Sequence, residues 1–101
     1  MNEEKNPKHL FERYQRGEVD RNTVVNTFLS LIETGSGVNF RSTCLEYLGR
    51  IQPLGIDSFK KIENFLLSDL SPMVRSTALK VILKNNIENG IEFLGTDVYK
   101  K

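Results

Sequence analysis

The stretch FRSTCL at residues 40–45 recurs 34 residues later as VRSTAL at residues 74–79. The two copies share the triplet Arg-Ser-Thr and keep small or apolar residues around it. The same shift aligns Val25, Phe28, Leu31 and Ile32 with Phe59, Ile62, Phe65 and Leu66. An internal repeat of this length is typical of proteins built from stacked structural units. The sequence therefore predicts two copies of one unit.

The spacing of apolar residues predicts that each unit is a pair of helices. Apolar residues of the first copy recur at intervals of three and four, the period of a half-buried helix. No segment alternates apolar and polar residues for long, so we expect no sheet. The predicted helices are Pro7 to Arg16, Asp20 to Thr34, Asn39 to Arg50, one that follows Asp57 or Ser58, and one capped by Ser71 with Pro72 in its first turn.

Polar residues and glycines mark the predicted helix ends. Asn6 and Asp20 are N-cap candidates, because their side chains can accept hydrogen bonds from the free N–H groups of a first turn. Gly17 is expected to stop the first helix, and the glycines at 35 and 37 the second.

The length of 101 residues suits a single domain. Shifting the first helix by 34 residues places Leu10 and Phe11 on Cys44 and Leu45, so this helix is interpreted as half a repeat. The predicted organisation is a half-repeat cap at about 7–17, repeat one at about 20–51, repeat two at about 56–85, and a carboxy-terminal partial repeat or cap at about 87–101, with a final helix from about Ile87.

The second repeat carries the string Asp69, Pro72, Val74, Arg75, Ala78 and Leu79. This string resembles the HEAT-repeat family. The resemblance implies a right-handed α-α superhelix, that is, a short all-α solenoid of about five to six helices. It also implies a structural ladder in which Asp69 pairs with Arg41, Arg75 or both. The first repeat matches partly, with Gly35 in place of the aspartate. Tetratricopeptide repeats have the same period, but their Trp, Gly, Tyr and Pro positions are not met.

Composition limits the classes of function. Fourteen Lys and Arg against 13 Asp and Glu give a net charge of +1, so no global field favours nucleic acid. Cys44 is the single cysteine and His9 the single histidine, and neither lies in a pattern typical of a metal or catalytic site. We expect no metal, no cofactor, no enzymatic activity and no membrane span, and the polar residues 1–8 favour a cytoplasmic location over secretion.

Aligned helix ends carry the candidate binding surface. Arg16, Arg50 and Lys84 occupy one repeat position and are expected in the last turns of their helices, where cations complement the helix dipole. Such a row could also line a groove for an anionic partner. The predicted surface consists of Arg16, Tyr47, Arg50, Lys80 and Lys84. The predicted function is a protein–protein interaction module or scaffold that binds another protein or an acidic peptide, as a monomer or weak homo-oligomer. Nucleic-acid binding through the basic row ranks second.

Overall fold

A computed structural model of the chain describes residues 6–51 and 54–88. The described residues form five α-helices and no strand, which confirms the all-α prediction. The helices are α1 (Pro7–Gln15), α2 (Arg21–Thr34), α3 (Val38–Leu48), α4 (Ile56–Ser68) and α5 (Pro72–Glu88). Of the partial repeat predicted at 87–101, all but the end of α5 lies outside the described residues.

The predicted helix caps are present. The Asn6 side chain accepts a hydrogen bond from the His9 backbone N–H at 3.2 Å, and Asp20 accepts one from Thr23 at 2.7 Å. Before α5, the Ser71 hydroxyl accepts a hydrogen bond from the backbone N–H of Val74 at 3.3 Å. Each cap satisfies an amide that has no partner inside its helix.

Several helix boundaries differ from the prediction. Helix α3 spans Val38–Leu48 and not Asn39 to Arg50, so Arg50 lies two residues beyond its end and not in its last turn. Helix α4 begins at Ile56, one to two residues early, with Gly55 in the cap position. Asp57 therefore lies within the first turn, where its charge still favours the helix dipole. Helix α5 continues to Glu88, so no separate helix begins at Ile87. Lys84 is consequently four residues from the helix end, not in its last turn.

The helices contact one another in two layers. One layer contains α1, α3 and α5, in which α3 packs against both of the others. The second contains α2 and α4, which also contact each other. Between the layers, α2 packs on α1 and α3, and α4 packs on α5. Some residues 34 apart are both buried in the core, such as Phe28 with Ile62 and Leu48 with Ile82.

The turn between α2 and α3 depends on a close approach at Gly35. A Cβ atom at this position would lie 2.5 Å from the Leu31 carbonyl oxygen and 2.8 Å from the ring of Phe40. The absence of a side chain therefore allows the Phe40 ring to close over the end of α2.

Candidate functional site

A shallow cleft of about 150 Å³ separates the last turns of α3 from the middle of α5. Charged and polar side chains form its edges, and a small apolar region forms its floor. It is lined by Glu46, Gly49, Arg50, Thr77, Lys80, Val81 and Lys84. Three of the five residues predicted for the binding surface, Arg50, Lys80 and Lys84, are thus brought together here.

Gly49 brings the two helices close beneath the cleft. A Cβ atom at Gly49 would lie 3.0 Å from Cγ2 of Val81. Thr77 and Val81, one turn apart on α5, are buried. Lys80 and Lys84, also one turn apart on α5, are exposed. The floor is therefore packed and the rim is charged and solvated.

The guanidinium group of Arg50 lies over two aromatic rings. Its central carbon is 5.1 Å from the ring centre of Tyr47 and 5.9 Å from that of Phe11. Cations at this range are attracted to the ring face. These contacts hold the Arg50 charge at the rim and reduce its conformational freedom before any ligand binds.

The cleft carries an excess of positive charge. Its cations are Arg50, Lys80 and Lys84, and its single carboxylate is Glu46. None of these four side chains forms a salt bridge within residues 6–51 and 54–84. Glu46 was not among the residues predicted for the binding surface.

Arg16, predicted in the same row, does not line the cleft. Its Nε lies 2.7 Å from Oε2 of Glu18, and Arg13 approaches the same carboxylate at 3.5 Å. The hydrogen bond and charge of Glu18 raise the pKa of Arg16, and the Arg16 hydrogen bond lowers the pKa of Glu18. Gly17, with φ of +80°, turns the chain so that Glu18 returns to Arg16.

Tyr47 is half-buried among aromatic rings. Its ring stacks on Phe28 with centroids 6.1 Å apart and planes 9° apart, and its centroid is 5.1 Å from that of Phe11. Tyr47, predicted to lie on the binding surface, is therefore only partly exposed. Its clearest connection to the cleft is the support it gives to Arg50.

The three ladder residues meet at the turn between α4 and α5. Both terminal nitrogens of Arg41 donate to the Asp69 carboxylate, one of them at 3.2 Å, and Arg41 Nε donates to the Ile32 carbonyl at 2.7 Å. Arg75 instead donates to the backbone carbonyl of Asp69 at 2.7 Å. The Asp69 carboxylate also accepts the Ser71 N–H at 2.9 Å. One carboxylate thus joins α3 to the turn between α4 and α5.

The environment of Asp69 favours its ionised form. Its side chain is only 6% exposed, and that of Arg41 is 19% exposed. Hydrogen bonds from Arg41, and then from the backbone of Ser71, hold the pKa of Asp69 below its ordinary value against the opposing effect of burial. This arrangement stabilises the fold and presents no free group to a ligand.

The remaining chemical candidates offer no reactive arrangement. Cys44 is buried in the core, and burial raises its thiol pKa to about 11, so it is protonated at neutral pH. Within the described residues, no three His, Cys, Asp or Glu side chains lie together as a group that could hold a metal ion. In the same part of the chain, every helix is too short or too polar to cross a bilayer.

Comparisons with protein-family models, curated protein sequences and solved structures gave no match to this chain.

Proposed function

We propose that this protein is a non-enzymatic protein-interaction module whose α3–α5 cleft binds an acidic segment of a partner protein. The observation that carries the proposal is the convergence of Arg50, Lys80 and Lys84 on one cleft that contains a single carboxylate. Of the five residues predicted from the sequence, the proposed binding site keeps Arg50, Lys80 and Lys84. Tyr47 supports the guanidinium group of Arg50, and Arg16 lies outside the site.

The chemistry of the cleft suits carboxylate side chains. Arg50 can donate two parallel hydrogen bonds to one carboxylate, and its aromatic contacts orient it beforehand. Lys80 and Lys84 act as flexible point charges one helical turn apart, and their aliphatic stems provide apolar contact. Helix α5 holds the two lysines, and Arg50 lies in the turn directly after α3 against two aromatic rings, so binding requires little ordering of the protein.

We also propose that the helices form a short right-handed superhelix of the HEAT type. Three features support it: the alternation of successive helices between two layers, the equivalent buried residues 34 apart, and the Arg41–Asp69 pair across the repeats. In such an array the α1, α3 and α5 layer forms a continuous surface, on which the cleft lies. The protein acts as a monomer or weak homo-oligomer, and the free thiol of Cys44 favours a reducing compartment such as the cytoplasm.

Acidic peptide is preferred to nucleic acid as the ligand. The carboxylate of Glu46 stands in the cleft and would repel a continuous phosphate backbone. A peptide can place a polar or apolar side chain beside Glu46 and its carboxylates beside the lysines. The net charge of +1 also provides no long-range attraction for a polyanion.

Charge reversal in the cleft tests the proposal. The variant Lys80→Glu/Lys84→Glu is compared with Lys60→Glu/Lys61→Glu, which changes the same charge on the exposed surface of α4. The probe is a fluorescein-labelled peptide of alternating Glu and Leu, and binding is measured by fluorescence anisotropy. At about 1 kcal/mol per reversed contact near the surface, the cleft variant should weaken binding at least tenfold. The control should change it less than threefold.

Two further measurements complete this test. Glu46→Gln should strengthen peptide binding, because it removes the one repulsive carboxylate. No binding of the peptide to the wild-type protein, or equal losses in the two lysine variants, would contradict the proposal. Tighter binding of a single-stranded oligonucleotide, with a steep dependence on salt, would instead favour the nucleic-acid function.

A further inference from the structure

An exposed apolar patch surrounds the turn between α4 and α5. Leu70 in the turn is 95% exposed, and Leu67 near the end of α4 is 78% exposed. Met73 in the first turn of α5 and Val38 at the start of α3 are also exposed. These four residues are termed the turn patch. Because Met73 precedes Lys80 by about 10 Å along the axis of α5, the turn patch is separate from the cleft.

Hydrogen bonds hold the parts of the turn patch side by side. Arg41, one helical turn after Val38, donates to the carboxylate of Asp69. Leu70 is the next residue after Asp69. The backbone carbonyl of Asp69 also accepts a hydrogen bond from Arg75 in α5. The start of α3 is therefore tied to the turn that carries the most exposed leucine, and the turn patch forms one surface at this edge of the molecule.

The surroundings of the turn patch carry almost no exposed charge. Residues 34–40 and 64–74 contain a single charged residue, Asp69, although charged residues make up 27% of the whole sequence. The Asp69 side chain is 6% exposed and accepts hydrogen bonds from Arg41, so its charge is compensated within the protein. The exposed side chains that accompany the turn patch in these ranges include the neutral polar residues Thr34, Ser36, Asn39, Asn64 and Ser68.

A surface of this kind matches an uncharged apolar partner, and a second copy of the chain provides one. In a contact with two-fold symmetry both copies use the same surface, so an exposed charge near the axis would face a like charge. The turn patch avoids this repulsion, and the net charge of +1 adds little repulsion between whole copies. A negatively charged lipid surface would instead favour Lys or Arg beside the leucines, and residues 34–40 and 64–74 contain neither.

We infer that two copies of this protein associate through the turn patch with two-fold symmetry, with Leu67 and Leu70 at the centre of the contact. The transfer of these leucines out of water supplies the driving force. Four apolar side chains provide less area than the roughly 800 Å² per partner of a stable interface. The dimer is therefore weak and reversible, and it forms at high protein concentration.

Charge substitution at position 70 tests the dimer in the full chain. Leu70→Glu and Leu70→Lys place opposite charges on the turn patch, and both replace a side chain that has almost no packing to lose. The control is Ile56→Glu, which puts a charge in place of an apolar residue that is 73% exposed at the opposite end of α4. Sedimentation equilibrium over a concentration series measures the dissociation constant, and circular dichroism verifies that each variant is folded.

Each position-70 variant alone should dimerise about tenfold or more weakly than the native protein, because like charges then meet across the two-fold axis. An equimolar mixture of the two should regain association, since opposite charges then face each other. Ile56→Glu should match the native protein.

Three results would overturn the inference. They are a native protein that stays monomeric throughout the series, equal losses in Leu70→Glu and Ile56→Glu, and a mixture of the two position-70 variants that stays monomeric. Native monomers that float with phosphatidylcholine vesicles would assign the turn patch to a lipid surface instead.

Discussion

The substitution Asp69→Ala removes the carboxylate that joins α3 to the turn between α4 and α5. In the native protein this carboxylate accepts hydrogen bonds from both terminal nitrogens of Arg41 and from the backbone N–H of Ser71. Alanine leaves the Arg41 guanidinium, only 19% exposed, without its counter-charge. The backbone carbonyl of residue 69 can still accept from Arg75, so the substitution acts on the side-chain half of the ladder.

The size of the effect follows from the burial of the pair. Breaking a buried ion pair by removing one partner costs about 3–5 kcal/mol. Arg41 keeps its hydrogen bond to the Ile32 carbonyl and a partial exposure to water, so we expect the lower end of this range, about 3 kcal/mol. Domains of this size are stable by only about 5–15 kcal/mol, so the loss is a large fraction of the total.

Equilibrium unfolding in urea, followed by far-ultraviolet circular dichroism at neutral pH, measures the loss. The matched control is Glu33→Ala, which breaks an ion pair with Lys61 at 4.0 Å in which both side chains are about half exposed. Such surface pairs contribute about 0–1 kcal/mol. If Asp69→Ala lost no more stability than this control, the structural role of the ladder would be refuted.

The pH dependence provides a second check on Asp69. Because its pKa is lowered on folding, its contribution is fully present above the ordinary aspartate pKa of about 4 and is lost as the pH falls through the folded value. The difference in unfolding free energy between the native protein and Asp69→Ala should therefore be constant near neutral pH and shrink in acid. A difference that stayed constant into strong acid would contradict this account.

Three further outcomes are expected. Gly35→Ala should lower stability by about 1–3 kcal/mol in urea unfolding, because its Cβ would overlap the Leu31 carbonyl and the Phe40 ring; unchanged stability would show that the turn relaxes freely. Ser42→Ala should leave the free energy of unfolding unchanged or raise it by up to about 1 kcal/mol, because the buried Ser42 hydroxyl has no hydrogen-bond partner in the described residues. A clear loss of stability would show that the hydroxyl does have a partner. Cys44 should react with a thiol reagent only after denaturant is added, because its pKa is about 11; rapid native labelling would contradict its burial.

Local signals predicted most of the helix boundaries. Asn6 and Asp20 identified two helix starts, because N-cap residues act on amides three residues away. The start of α4 at Ile56 had no such signal, since its cap position is occupied by Gly55, which has no side chain to accept a hydrogen bond. The end of α5 was also missed, because no proline or glycine interrupts the helix before Glu88.

The candidate site was predictable where it follows the repeat and not where it depends on packing. Repeat alignment brought Arg50 and Lys84 into one row, and both line the cleft. The same row included Arg16, whose pairing with Glu18 depends on the left-handed turn at Gly17. The half-burial of Tyr47 depends on rings from two other helices, which a one-dimensional period does not specify.

The stacking of Tyr47 has an optical consequence. The chain contains three tyrosines and no tryptophan, so its ultraviolet emission comes from phenol rings alone. The ring of Tyr47 stacks on the core and lies beneath the guanidinium group of Arg50. A ligand that draws Arg50 away would change the quenching of this ring, so the protein contains its own fluorophore for following occupancy without a dye.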